Sequence, residues 1–213
     1  IIQQTMLLGV GMAAGTAREH NKFRNLVPIT RHHRGLLRIV LSKGMAYLMV
    51  YIPLSVYILG IIPHLFHLNQ IGNPWDIAFF ILPFLIASVL FSMTVSAFVR
   101  HREMCIMLIV FTSVPLLFIS GLSWPGSAIP PAWKAISYIF PSTFGINGFV
   151  AINNMGAPLG DVQHDWYMLW VQAGIYFITT CTVYKASITR SRQRIIEAWS
   201  KLRNKRLKEH LPM

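Results

Sequence analysis

The feature that most constrains this chain is the stretch 77–99, which runs for 23 residues without a charged side chain. A transmembrane α-helix needs roughly 20 consecutive apolar residues, so this stretch is long enough to cross a bilayer. The composition agrees, because 54% of the 213 residues are hydrophobic and only 12% are charged, whereas soluble domains average about 25% charged residues. The sequence therefore predicts an integral membrane protein.

Three further apolar stretches have lengths typical of transmembrane helices. The predicted spans cover residues of about 41–66, 77–99, 103–121 and 166–184. Residues 1–16 are also apolar but too few to cross alone, so we predict that they form the inner end of another helix. Because the sequence opens inside apolar residues, we expect it to be the C-terminal portion of a longer protein. The predicted fold class is all-α, a polytopic membrane helical bundle over residues 1–190.

The basic residues fix an expected orientation. Of the 19 Lys and Arg residues, seven lie between positions 18 and 43, two are Arg100 and Arg102, and nine lie between 185 and 208. Threading the spans puts all three clusters on one face, which the positive-inside rule makes cytoplasmic. A net charge of +12 could indicate nucleic-acid binding, but this distribution of the basic residues argues against it. It also places the C-terminus, a basic tail at 191–213, in the cytoplasm of a multi-pass protein.

That tail has helical periodicity, with Ile195, Ile196, Trp199 and Leu202 assigned to one face. Such an amphipathic basic segment is typical of an orientation signal held at anionic lipid. A regulatory or partner-binding role is the alternative.

Residues 115–158 are too broken for one transmembrane helix, yet only Lys134 in them is charged. Backbone that is neither helical nor exposed to water at membrane depth must be packed against protein. We therefore predict a re-entrant helical hairpin at 122–158, on the outer side, which gates a membrane path. The residues assigned to this outer gate are Gly121, Pro125, Pro130 and Pro141.

The cytoplasmic loop after the first helix contains a second amphipathic pattern. Phe23, Leu26 and Val27 are spaced to form one apolar face of a short helix, which Pro28 ends. This helix, near 17–28, could lie on the membrane surface or dock onto a cytosolic partner, and the pattern does not distinguish the two.

Two sets of polar residues in or beside the spans are candidates for sites. Ser88, Ser92 and Ser96 recur every four residues, which places them on one stripe for close helix packing or, alternatively, for lining a transport path. His64 and His67 have a spacing compatible with a metal site, but polar residues at the membrane interface explain them more simply.

Two stretches carry a resemblance to a known family. They are AREHNKFRNLVPITRHHRGLLRIVLSK before the second span and FISGLSWPGSAIPPAWKAISYIFPSTFGINGFVAI after the fourth. The chain resembles the C-terminal part of an ABC-2 type transporter permease, the membrane subunit of a type V ABC exporter, in its bacterial drug-efflux-like branch. The resemblance implies a first helix and an extracytoplasmic domain ahead of this sequence. It also implies a coupling helix that contacts the ATPase, with Arg18, Glu19, Phe23, Arg24, Leu26 and Val27 as the coupling residues.

The expected function is that of a permease subunit moving an amphipathic, drug-like or lipid-like substrate across the bacterial inner membrane. A G-x-x-x-x-G-K-[ST] nucleotide-binding loop does not occur in the sequence. ATP and magnesium would therefore bind to a partner ATPase, and we assign this chain no catalytic residue, cofactor or metal. The other expected partners are a second permease protomer, in a homodimer or heterodimer, membrane lipid, and a periplasmic adaptor.

Other functions remain open at this stage. One alternative is a permease for polysaccharide or glycolipid export, and another is a non-transporting assembly subunit. An intramembrane enzyme is disfavoured, because His64 and Glu103, both near the ends of spans, are the only His, Asp or Glu residues in the predicted spans.

Overall fold

A computed structural model describes residues 2–19, 34–68, 70–99, 101–120 and 129–209 of the chain. In these residues the regular elements are all helical, so the predicted all-α membrane bundle is confirmed. The α-helices are α1 (Ile2–Glu19), α2 (Arg34–Val56), α3 (Ile62–Leu65), α4 (Pro74–Ser96), α5 (Arg102–Ile119), α6 (Pro131–Ser137), α7 (Pro141–Met155) and α8 (Gln163–Glu209).

Helix α4 lies at the centre of the bundle, in contact with α1, α2, α7 and α8. It begins three residues before the predicted span because the sequence Asn-Pro-Trp-Asp starts a helix efficiently. Asn73 is the N-cap, its side chain accepting a hydrogen bond from the backbone N–H of Trp75, and Pro74 occupies the first helical position. Leu85, Val89 and Met93 of α4 belong to a buried cluster with residues of α1 and α2.

Two helical segments in the described residues are long and apolar enough to cross a membrane, Leu37–Leu65 and Pro74–Ser96. The bent pair α6–α7 would be a third if it crosses as one broken span. The apolar part of α5, Glu103–Ile119, is shorter. The last predicted span, 166–184, is the first part of the much longer α8.

The second predicted span changes its helical form before it ends. Helix α2 continues through Pro53 and is followed by a π-helix at Tyr57–Ile61, where the Ile62 N–H reaches the Tyr57 carbonyl. In a regular α-helix the ring of Pro63 would clash with the carbonyl of Leu59, four residues earlier, and the wider π-turn relieves this clash. Gln70 then donates its side-chain N–H to the Leu59 carbonyl at 2.9 Å.

Helix α8 runs without a break for 47 residues. The predicted span at 166–184 and the basic tail predicted at 191–213 both lie in this helix, the tail as far as Glu209. A helix of this length is about 70 Å long, more than twice the thickness of the hydrocarbon core.

Helices α4 and α7 pack through glycines that receive aromatic rings. A Cβ atom added to Gly148 would lie 2.1 Å from Cζ of Phe80, and one added to Gly145 would lie 2.4 Å from Cδ2 of Phe84. Phe80 is only 1% exposed, so its ring has little room to move away. Small residues therefore set the distance between these two helices, as is usual in membrane bundles.

We expect Gly148→Ala to lower the free energy of unfolding by about 1–3 kcal/mol, because the added methyl overpacks the contact with Phe80. The measurement is the apparent melting temperature of the detergent-solubilised protein. Gly174→Ala in α8 is the matched control, since nothing lies within 4 Å of its added Cβ, and alanine there should leave stability unchanged or raise it. Equal melting temperatures for Gly148→Ala and the unmodified protein would contradict the packing described here.

Candidate functional site: the bent α6–α7 hairpin

The re-entrant segment that we predicted contains two short helices joined by a sharp corner. Helices α6 and α7 meet at 92° across a break of three residues. Pro131 is the first residue of α6 and Pro141 is the first residue of α7. Proline suits this position because the N–H it lacks would have no partner within the helix. The prolines that prevent one continuous span therefore also begin the two helices.

Three consecutive carbonyl groups at this corner accept hydrogen bonds from side chains. The Thr143 hydroxyl donates to the Ser137 carbonyl at 2.7 Å. From α8, the Gln172 amide donates to the Tyr138 carbonyl at 2.6 Å and the Tyr176 hydroxyl donates to the Ile139 carbonyl. Without water at membrane depth these carbonyls need such donors, because an unpaired polar group there costs several kcal/mol. The corner is therefore fixed to one face of α8.

Aromatic rings pack around the same corner. Phe91 of α4 makes edge-to-face contacts with Phe140, at 5.7 Å between ring centroids, and with Tyr176, at 5.3 Å. Tyr138 stacks on Phe144 at 5.4 Å. Such ring pairs contribute about 0.5–1.5 kcal/mol each beyond the area that they bury. They tie the hairpin to the central helix as well as to α8.

Helix α1 holds the beginning of α7. The backbone N–H of Ser142, in the first turn of α7, donates to Oε1 of Gln3 at 2.6 Å, and Gln3 is only 4% exposed. This N–H has no partner within its own helix, so the amide of Gln3 acts as a cap supplied by a neighbouring helix. The corner thus touches three long helices, α1, α4 and α8.

The other end of α7 is fixed by a glycine at its C-cap. Gly156 has a φ of 67°, a left-handed conformation that glycine adopts without strain, and its N–H bonds to the Ile152 carbonyl. The loop before α4 also contacts this end of α7, where the Ile71 N–H donates to the Asn153 carbonyl at 3.1 Å. Gly72 allows the approach, since a Cβ there would lie 2.4 Å from the Ile152 carbonyl oxygen.

Several apolar side chains of the hairpin are exposed in the described part of the chain. Trp133, Ile136, Tyr138 and Ile139 are each between 43% and 55% exposed. An apolar surface of this kind can contact lipid chains, a second protomer or an amphipathic substrate.

Asp165 marks the beginning of α8 beside the hairpin. Burial raises the pKa of its carboxyl group, and the contact with Nδ1 of His164 at 3.4 Å lowers that pKa by less. Because the pKa in the folded state is raised, the ionised form carries a stability penalty at neutral pH. The penalty disappears as the pH falls and the carboxyl group takes up a proton.

The structure describes only some of the residues predicted for the outer gate and for the contact with the ATPase. Pro130 and Pro141 belong to the hairpin, whereas Gly121 and Pro125 lie outside the described residues. Arg18 and Glu19 end α1, although their side chains are not described. The remaining coupling residues lie outside the described part of the chain, namely Phe23, Arg24, Leu26 and Val27.

The serine stripe lies inside the single chain. Ser88 and Ser92 are 0% exposed and Ser96 is 1% exposed. Ser96 donates to the Met93 carbonyl at 2.7 Å, while the hydroxyls of Ser88 and Ser92 have no hydrogen-bond partner among the described residues. A stripe so deeply buried within one protomer fits close helix packing better than the lining of an open path.

The histidine pair lies beside an open depression after α3. His64 and His67 line it together with Gln70 and three apolar residues, Pro63, Leu68 and Ile71. Within the described ranges no group of three or more His, Cys, Asp or Glu residues could hold a metal ion. The pair alone does not make a metal site.

Sequence reasoning did not identify Gln172 and Tyr176, the two α8 residues that hold the corner. A signal for them is present, because both are polar residues in an apolar span and their spacing of four places them on one helix face. Polar side chains in a span usually have a partner in the bundle.

We expect Tyr176→Phe and Gln172→Leu each to lower the free energy of unfolding by about 0.5–1.5 kcal/mol, because each removes the side-chain hydrogen bond to one backbone carbonyl of the corner. Peptides covering residues 137–146 should also exchange backbone hydrogen for deuterium faster. Thr179→Val is the matched control, since the Thr179 hydroxyl bonds only within α8, to the Ile175 carbonyl. Unchanged exchange in both variants would mean that α8 does not hold the corner.

Comparison with known proteins identifies the architecture. The family model described as ABC-2 family transporter protein matches residues 5–181. No curated protein and no solved structure gave a match. The match includes most of α1, the central helix, the bent hairpin and the first part of α8. The chain therefore belongs to the ABC-2 transporter family, as a membrane permease subunit whose ATPase resides in a partner.

Proposed function

We propose that this chain is the permease subunit of an ATP-driven exporter that moves an amphipathic, drug-like or lipid-like substrate across the bacterial inner membrane. The observation that carries the proposal is the family match over residues 5–181. The basic clusters support a cytoplasmic C-terminus and a cytoplasmic loop between α1 and α2. Two protomers, identical or related, would together enclose the path.

Helix α1 offers a physical connection between the ATPase and the hairpin. It ends at Glu19, beside the proposed coupling loop, and Gln3 near its other end caps α7. These two residues are 16 positions apart, which is about 24 Å along a helix and most of the thickness of the hydrocarbon core. A displacement of the loop by the ATPase would thus reach the hairpin through one rigid element.

Close contacts along α1 suit a helix that moves together with its neighbours. A Cβ at Gly9 would lie 2.7 Å from the Tyr51 hydroxyl oxygen, and one at Gly11 would lie 2.4 Å from Sγ of Cys105. The Tyr51 hydroxyl also donates to the Thr5 carbonyl at 2.8 Å. In this mechanism α1 carries motion to α2, α5 and α7, and the hairpin opens or closes the outer exit.

The direct test is to co-purify the intact permease with the ABC ATPase encoded beside it and to measure ATP hydrolysis in lipid nanodiscs. We expect amphipathic drugs or lipids to stimulate hydrolysis. Lack of association with the ATPase, or stimulation by polysaccharide or glycolipid precursors alone, would overturn the proposed function. A cysteine pair at positions 127 and 139 should crosslink with a yield that depends on the nucleotide state.

The role of α1 has its own prediction. Gln3→Leu should reduce substrate stimulation of ATP hydrolysis about tenfold while leaving ATPase association unchanged, because the α7 N–H loses its cap. Gln4→Leu is the matched control, since both side-chain amide atoms of Gln4 are buried without a hydrogen-bond partner among the described residues. Replacing that amide with an apolar group of similar size should have little effect. Equal substrate stimulation of ATP hydrolysis in the two variants would show that Gln3 does not take part in the coupling.

A further inference from the structure

The continuity of α8 determines how far its basic part extends from the membrane. If residues 166–184 cross the bilayer, residues 185–209 continue the same helix for about 37 Å. Lying flat on the membrane would require a turn of about 90°. An unbroken helix bends gently, with a radius of roughly 60–100 Å, so over this length its axis turns by only about 20–35°.

Most of the distal charge is therefore out of reach of the lipid headgroups. The interfacial layer is about 5–8 Å thick on each side, and the electrostatic field of the lipid decays over a Debye length of about 8 Å. Position 201 lies about 25 Å along the helix from position 184, which is still about 19 Å from the membrane core at a tilt of 40°. Five basic residues lie at or beyond it, Lys201, Arg203, Lys205, Arg206 and Lys208.

The order of residues along this part of α8 places an apolar stripe between two basic flanks. At 100° per residue, Ile188, Ile195, Trp199 and Leu202 fall on one face. Basic residues fall on both sides of that face; one side has Arg194, Lys201 and Lys205, and the other has Lys185, Arg192 and Arg203. Arg206 follows Leu202 on the face itself, whereas Arg190 and Lys208 fall toward the opposite face. Such a helix suits an apolar groove whose rim is acidic.

The net charge of this part of α8 distinguishes between the partners that it could bind. Residues 185–209 contain nine basic and two acidic residues, a net charge of +7. Two copies of this helix side by side would repel each other. The partner that an ABC-2 permease requires on its cytoplasmic side is the ATPase. We propose that residues 185–209 of α8 dock in an acidic-rimmed groove on the ATPase subunit, as a contact additional to the coupling loop. The proposal rests on the exporter function proposed above.

The test compares two full-length permeases that have the same length and helix-forming character. The first carries Lys201→Glu, Arg203→Glu, Lys205→Glu and Arg206→Glu, and the second carries the charge-conserving changes Lys201→Arg, Arg203→Lys, Lys205→Arg and Arg206→Lys. Each is titrated with the ATPase in nanodiscs of neutral lipid. We expect the charge-reversed protein to bind at least about tenfold more weakly and to lose the salt dependence of binding, while the charge-conserving protein binds normally.

A second pair of variants tests the apolar stripe without changing charge. Trp199→Ala with Leu202→Ala should weaken binding, whereas Gln193→Ala with Asn204→Ala, on the opposite face, should not. A photo-crosslinking amino acid introduced at position 202 should become attached to the ATPase.

Each of the remaining outcomes would overturn the inference. Equal ATPase binding by the charge-reversed and unmodified permeases would do so while leaving the exporter function intact. Crosslinking from position 202 to a second permease alone would assign this face to self-association. Normal binding per correctly inserted molecule, with insertion or orientation impaired by charge reversal, would assign the charges to lipid. Failure of the unmodified permease to bind the ATPase would instead contradict the proposed function itself.

Discussion

The structure depends on one constraint, which is that backbone polar groups in a membrane must find partners inside the protein. Prolines make this difficult because each removes an N–H donor and displaces the carbonyl four residues earlier. In this protein, side chains from other segments donate hydrogen bonds to such carbonyls. Gln70 reaches the Leu59 carbonyl left by Pro63, and the Trp166 indole approaches the Phe79 carbonyl left by Pro83, at 3.4 Å. The first of these hydrogen bonds joins the helix to the loop that follows it, and the second joins α4 to α8.

The same constraint applies to three consecutive carbonyls in the bent hairpin. At the 92° corner three consecutive carbonyls accept hydrogen bonds from side chains, one from Thr143 of α7 and two from α8. Because the latter two donors belong to another helix, the corner can change shape only if α8 or the hairpin shifts. Its other attachment, through Gln3, belongs to α1. An element fixed to two separate helices changes position when those helices move relative to each other.

Much of the fold was predictable from the sequence because the transfer of apolar side chains into lipid depends mainly on local composition. The hydropathy located the apolar helical segments Leu37–Leu65 and Pro74–Ser96 to within four residues at each end, and the pattern of prolines located the bent hairpin. At α8 the apolar segment and the basic tail form one helix, although their compositions differ. The sequence becomes basic from Lys185 onward, but arginine, lysine and glutamate are good helix formers and do not end the helix.

The sequence by itself determined the membrane class, the helices and the positions of the interruptions, since these follow from composition and from the covalent geometry of proline. Only the tertiary structure decided which helix faces are buried and which side chains satisfy the interrupted backbone. Helix α4 is apolar on nearly every side, so no periodicity in its sequence distinguishes the face toward α7 from the face toward lipid. That choice depends on Phe80 and Phe84 meeting Gly148 and Gly145, a match between residues more than 60 positions apart.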